Sequence, residues 1–243
     1  GGGVRLAFRE LVRRPSRFVT AAVILTLIAV LLMFLGGLLY GLIKSSTGAI
    51  RAQDVDAIVY SADSQASFIR SRIDPELRAQ IEALPGVTEV GGLGVVQLGA
   101  RIPGNDPRDL AGVALFGYEL APTGVPEPPP AGQAYADERL LADGVEAGMT
   151  IELGPARTPI EIIGFVTDTS YSGQGALWAT PDTWRDTLSA NRPNAQVADD
   201  VFQALVVRGE GDVADQIDEA TDGATDSYTV EGAIDAIPGV SEQ

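Results

Sequence analysis

The chain has 243 residues, no cysteine and no histidine, and a net charge of −16 from 17 Lys+Arg against 33 Asp+Glu. That excludes disulfides, a thiol nucleophile, an imidazole base and every His/Cys zinc constellation. The acidic balance also argues against nucleic acid as a partner, because phosphates would be repelled.

The first 17 residues, GGGVRLAFRELVRRPSR, carry Arg5, Arg9, Arg13, Arg14 and Arg17 against the single acid Glu10. Val4, Phe8, Leu11 and Val12 recur at helical spacing with the arginines on another face, which predicts a short basic amphipathic helix. Such a helix suits an anionic lipid surface or a partner's groove. A simple positive flank to a membrane span fits the same pattern. Pro15 predicts a break before the next element.

From Phe18 to Ile43 no side chain is charged. As a helix this run is about 39 Å long at about 1.5 Å per residue, enough to cross a hydrocarbon core of about 30 Å. It exceeds the apolar core of a signal peptide, about 7–15 residues, and no convincing A-x-A-like cleavage site follows. The reading is therefore an uncleaved anchor. Basic flanks stay in the cytoplasm while long domains cross regardless of charge. The N-terminus is expected in the cytoplasm, and residues 44–243, with 12 basic and 32 acidic residues, outside the cell or in the periplasm. Gly37 and Gly41 form a G-x-x-x-G that would allow close packing against another helix, although glycine is common in such spans.

The domain boundaries expected are a cytoplasmic segment at 1–17, the span at 18–43, a connector at 44–55, an extracytoplasmic domain at 56–236 and a tail at 237–243. Ala57–Tyr60 reads as a strand. Asp74–Leu84 reads as a helix, with Asp74 at the N-cap, Pro75 at the first position and Pro85-Gly86 as the stop. Val87–Arg101 and Leu110–Tyr118 read as glycine-interrupted strands. The Pro-rich 121–132 is a stiff loop. A short helix at Asp137–Ala142, strands at Thr150–Leu153 and Ile160–Thr167, and a short strand at Leu177–Ala179 follow. A helix at Pro181–Leu188, a strand at Ala204–Val207 and a helix at Val213–Ala220 complete the series. Ile160–Thr167 is apolar almost throughout, which predicts a central strand. The succession argues for one mixed α+β domain. QIEALPGV at 80–87 and AIDAIPGV at 233–240 echo each other; two equivalent units or a shared Pro-Gly stop both account for this.

Chemistry is sparse. Lys44 is the only lysine, so Schiff-base chemistry inside the domain is unavailable, and no G-x-x-x-x-G-K-[ST] exists to hold ATP. Asp199-Asp200 and the series Asp212, Asp215, Asp218, Glu219 and Asp222 read as solvated faces, since no calcium-loop register is present. Ser170–Gly175, SYSGQG, lacks a lysine to complete a phosphate cradle and reads as a hairpin tip. No catalytic residue, cofactor site or metal site is assigned.

The opening LAFRELVRRPSRFVTAAVILTLIAVLL resembles the start of FtsX/MacB-type ABC transporter permeases, which read roughly L-x-x-R-x-L-x-R-R before a first span. Later stretches are similar to their extracytoplasmic domain: IDPELRAQIEALPGVTEVGGLG, LADGVEAGMTIEL and IEIIGFVTDTSYSGQGALWATPDTWRDTL, with AIDAIPGVSEQ like the segment entering a second span. The resemblance implies the first part of a four-span permease, not itself an enzyme, three of whose spans are absent from this sequence. It implies a cytoplasmic ABC ATPase partner contacted through Val4, Phe8, Leu11 and Val12. It also implies a second permease copy, membrane lipid around the span, and an exterior cargo or partner protein. The cargo classes implied are lipid, lipoprotein, peptide or drug. A single-span anchored binding or regulatory module is the alternative; a tethered hydrolase would require two buried carboxylates facing each other.

Overall fold

The computed structural model of the chain describes Gly3, Val4 and residues 15–237, the side chains of 42–45 excepted. Phe8, Leu11 and Val12 lie outside the described residues. The chain divides into two compact units, Gly1–Lys44 and Ser45–Gln243.

Helix α1 spans Pro15–Arg51. Proline at its start costs nothing, since the first amide has no intrahelical partner there. Thr20 and Thr26 turn their hydroxyls back onto the carbonyls of Ser16 and Ala22 at 2.7 and 2.8 Å, which satisfies both polar groups within an apolar run. The segment expected as a connector from residue 44 is helical as far as Arg51.

The second unit contains strands β1 (Ala57–Ser61), β2 (Val87–Arg101), β3 (Ala111–Tyr118), β4 (Gln133–Asp137), β5 (Thr150–Leu153), β6 (Thr158–Val166), β7 (Gly175–Ala179), β8 (Ala204–Gly209) and β9 (Thr225–Tyr228). Its further helices are α2 (Pro75–Glu82), α3 (Pro181–Asn191), α4 (Val213–Ala220) and α5 (Val230–Asp235). The class is α+β. Asp74 caps α2, accepting from the Leu77 amide at 2.8 Å. The short helix expected near Asp137 is a single 3-10 segment, Glu138–Asp143, ended by Gly144 at positive φ.

Two sheet systems share strand β2. Its first half pairs with β8, giving the order β2-β8-β1-β9 with every pair antiparallel. With α2 between β1 and β2, and α4 between β8 and β9, this is a split βαβ arrangement. The second half of β2 pairs with β3 from Leu93 to Ala100. From there the hydrogen bonding runs β3-β7-β4-β6-β5 and returns to β2, closing a six-stranded ring. Closure leaves none of these six strands as a free edge.

Strand β1 is buried on both faces. Ala57 and Val59 of β1 enter one core with Val113, Leu115, Leu205 and Val207. Ile58 and Tyr60 enter a second core with Phe116, Trp178, Ala204 and Val206. Alternate residues of one strand thus serve opposite cores. Strand β6 lies inside the ring between β4 and β5. Strands β4 and β9, QAYAD and TDSY, were not expected: β4 alternates only two alanines with its other residues, TDSY carries no apolar alternation, and pairing to neighbours defines both. QIEALPGV at 80–87 joins α2 to β2, whereas AIDAIPGV at 233–240 begins in α5, after β9, and runs beyond the described residues.

Candidate functional site

Residues 15–41 of α1 are long and apolar enough to cross a membrane, and their side chains are exposed throughout. Val4 is 77% exposed. A Cβ built on Gly36, Gly37 or Gly41 would meet nothing within 4 Å, so this face has no partner among the described residues.

The last turns of α1 belong to the folded unit and are set into it. Thr47, Ala49 and Ile50 are buried, the latter two in the second core. Gly48 lies so close to the loop after β6 that a Cβ there would stand 2.7 Å from the Asp168 carbonyl oxygen and 3.0 Å from the Ser170 nitrogen. Only glycine permits that approach. The Ala49 amide donates to the Ser170 carbonyl at 2.9 Å, and the Ser172 amide donates to the Ser46 carbonyl at 3.0 Å. Arg51 grips the Asp168 carboxylate with both terminal nitrogens, at 2.9 and 3.0 Å, while its Nε donates to the Thr47 hydroxyl at 3.0 Å. The planar guanidinium fork matches the two carboxylate oxygens. Asp168 itself takes a positive φ of 51°.

The receiving loop is itself held from below. Asp137, at the end of β4, is buried, and its carboxylate accepts from the Thr169 amide and hydroxyl at 2.7 Å each and from the Arg139 amide at 2.9 Å. The Trp178 indole N–H donates to the same Thr169 hydroxyl at 3.1 Å. A buried carboxylate is tolerable because every neighbour is a donor. The stretch SYSGQG, expected as a hairpin tip, does turn through a Tyr171–Gln174 bridge, but it also holds the end of α1. Asp218, expected as solvated, accepts from the Thr225 hydroxyl and the Ser227 amide and so ties α4 to β9.

No family model and no curated protein matches the sequence. The solved periplasmic region of MacB from Actinobacillus actinomycetemcomitans superimposes with a TM-score of 0.50 at 11% identity, over 78% of this chain and 96% of that one. The folded unit has the MacB periplasmic fold. Two other solved domains overlap less. The extracellular domain of the noncanonic ABC-type transporter YknZ from Gram-positive bacteria gives a TM-score of 0.44 at 13% identity, over 72% of this chain and 100% of that one. A domain of a putative permease protein from Porphyromonas gingivalis gives 0.42 at 14%, over 73% and 89%.

In this MacB-like domain a cleft of about 500 Å³ opens between α2 and the start of α3, lined by Arg78, Glu82, Glu119, Asp182, Arg185 and Phe202 among others. Its cations are neutralised internally. Arg78 pairs with Glu82 at 2.7 Å and Glu119 at 2.6 Å; burial lowers its pKa, but those two carboxylates outweigh burial and leave it raised. The Phe202 ring carries the Arg185 guanidinium at 4.4 Å and stacks on Trp184 with centroids 6.1 Å apart. This joint fastens α3 to the first sheet; it presents no reactive group. Among the described residues no cluster of three or more Asp or Glu is placed to hold a metal.

Residue types alone pointed to the span and its small-residue face. They did not single out Gly48, Arg51, Asp137, Asp168 or Thr169. The nearest signal was Ser170–Gly175, a glycine-rich stretch with no phosphate-binding lysine.

Proposed function

We propose that the chain is the first span and extracytoplasmic domain of an ABC transporter permease, with its N-terminus in the cytoplasm. ATP hydrolysis by a partner subunit would be felt at the basic segment 1–17, through Val4, Phe8, Leu11 and Val12, and passed along α1. A second permease copy would pack against the Gly37/Gly41 face. The domain would act on lipid, lipoprotein, peptide or drug cargo.

The observation that carries this reading is the fixing of residues 46–51 of α1 into a domain of MacB fold. Two backbone hydrogen bonds, a two-pronged ion pair and a close glycine approach act over six residues. A freely jointed tether has no use for such a fixture. A helix that must deliver displacement to the domain requires it.

Orientation is testable because the chain has no cysteine. Ser16→Cys and Asp199→Cys, both at exposed positions, are treated in intact cells with a membrane-impermeant maleimide. Asp199→Cys labels and Ser16→Cys labels only after lysis; the reverse pattern overturns the reading. Coupling is tested with Phe8→Asp or Leu11→Asp, which should separate ATP hydrolysis from transport. Unchanged coupling removes the assigned ATPase contact.

A further inference from the structure

A second cavity, of about 180 Å³, lies against β2, α3 and the loop between β1 and α2. Phe68, Val95, Val96 and Leu188 supply apolar wall. Beside it Ile69 is 70% exposed. At about 30 Å³ for a water's share of liquid volume, the space equals roughly six waters, close to that of an engineered apolar cavity that takes benzene. A chain of about six or seven carbons fits; a water cluster would find few polar partners on those walls.

The charges around it run against the rest of the domain. Residues 44–243 carry 32 acids against 12 bases, yet no carboxylate lines this cavity and two arginines do, Arg72 and Arg192. Among the described residues neither is in an ion pair. Arg72 spends its terminal nitrogens on the carbonyls of Phe68, Ile69, Ser71 and Ala195. Arg192 donates from Nη2 to the Gln97 carbonyl at 3.1 Å. All these acceptors are neutral, so two positive charges remain uncompensated beside an apolar space. Burial draws the Arg72 pKa down, the direction expected of a partly desolvated cation without a carboxylate. Tyr171, also on the wall, stays neutral: burial pushes its hydroxyl up to about 12.

We infer that this cavity binds a small amphiphilic anion, a tail of about six or seven carbons in the apolar space with its carboxylate on Arg192, in the field of the Arg72 charge. Guanidinium groups pair well with carboxylates, and the chain contributes through burial. The inference concerns the folded unit alone and stands whether or not the permease reading does.

The test uses the full chain in phosphatidylcholine nanodiscs, with empty discs as blank, titrated calorimetrically with octanoate and with 1-octanol. Octanoate saturates at one per chain and binds more tightly than octanol. Arg192→Gln, at an exposed position, weakens octanoate about fivefold or more, as loss of a charge-assisted contact does. Ser67→Phe, which fills the cavity from its half-buried rim, abolishes binding while the melting midpoint stays put. Heats equal to those of empty discs overturn the proposal, as do equal affinities for octanol and octanoate or binding that survives Ser67→Phe. Capture of an acidic peptide with an apolar end, and not of octanoate, overturns it too and places a protein there.

Discussion

Gly48→Val is the sharpest probe of how α1 is fixed. A Cβ at this position meets Asp168 and Ser170 backbone atoms at 2.7–3.0 Å, and backbone cannot swing aside as a long side chain can. Overpacking of this kind costs about 1–3 kcal/mol. Losing the Ala49–Ser170 hydrogen bond adds about 1 kcal/mol. The better helix propensity of valine returns only about 0.4 kcal/mol. The net loss is about 1.6–3.6 kcal/mol, which for a domain of this size lowers Tm by about 3–14 °C. Calorimetry of the full chain in detergent reads this directly, with the fluorescence of buried Trp178 and Trp184 as a second monitor. Gly37→Ala, where added atoms meet nothing within 4 Å, should leave the domain transition in place. A Gly48→Val protein that melts with the parent would refute the close approach and with it the fixture.

Asp137→Asn keeps shape but turns an amide donor toward either the Thr169 donors or the Arg139 amide, which bind different carboxylate oxygens, and should cost about 1.5–3 kcal/mol by calorimetry; an unchanged melting curve would show the carboxylate is not needed. Gly94→Val drives its side chain into the Trp184 ring and should cost about 3 kcal/mol at the top of the overpacking range, seen as a lower denaturant midpoint. A double-mutant cycle on Arg51→Ala and Asp168→Ala should return a coupling of about 0.2–1 kcal/mol, weakened by salt, because both side chains are partly exposed. Burial raises the Tyr60, Tyr118 and Tyr171 hydroxyls, the last up to about 12. Above about pH 10 the unfolded chain loses protons that the folded one keeps, so stability is full below that pH. It falls as pH rises, for Tyr171 through about 12. Melting midpoints across this range, followed with tyrosinate absorbance, check the sign; a flat profile would contradict it.

Local chemistry determined much of the chain's outline. An uncharged run from Phe18 to Ile43 has few stable fates besides an apolar helix. Asp74 before Pro75 sets the start of α2 because the aspartate satisfies an orphan amide. The apolar run at Ile160–Thr167 marked a strand with neighbours on both sides, and β6 does lie between β4 and β5. None of this depends on distant residues.

Tertiary structure alone decided the rest. QAYAD and TDSY are strands because β6 and β1 offer them hydrogen bonds, and no period within four or five residues encodes that. Ring closure depends on β2 meeting β3 along Leu93–Ala100 and β5 at Ala100 and Arg101, an event between segments tens of residues apart. The helix fixture likewise joins Gly48 and Arg51 to Asp168, 117 positions along the chain from Arg51. A glycine in a helix and an acid in a loop are unremarkable until the fold brings their backbones into contact.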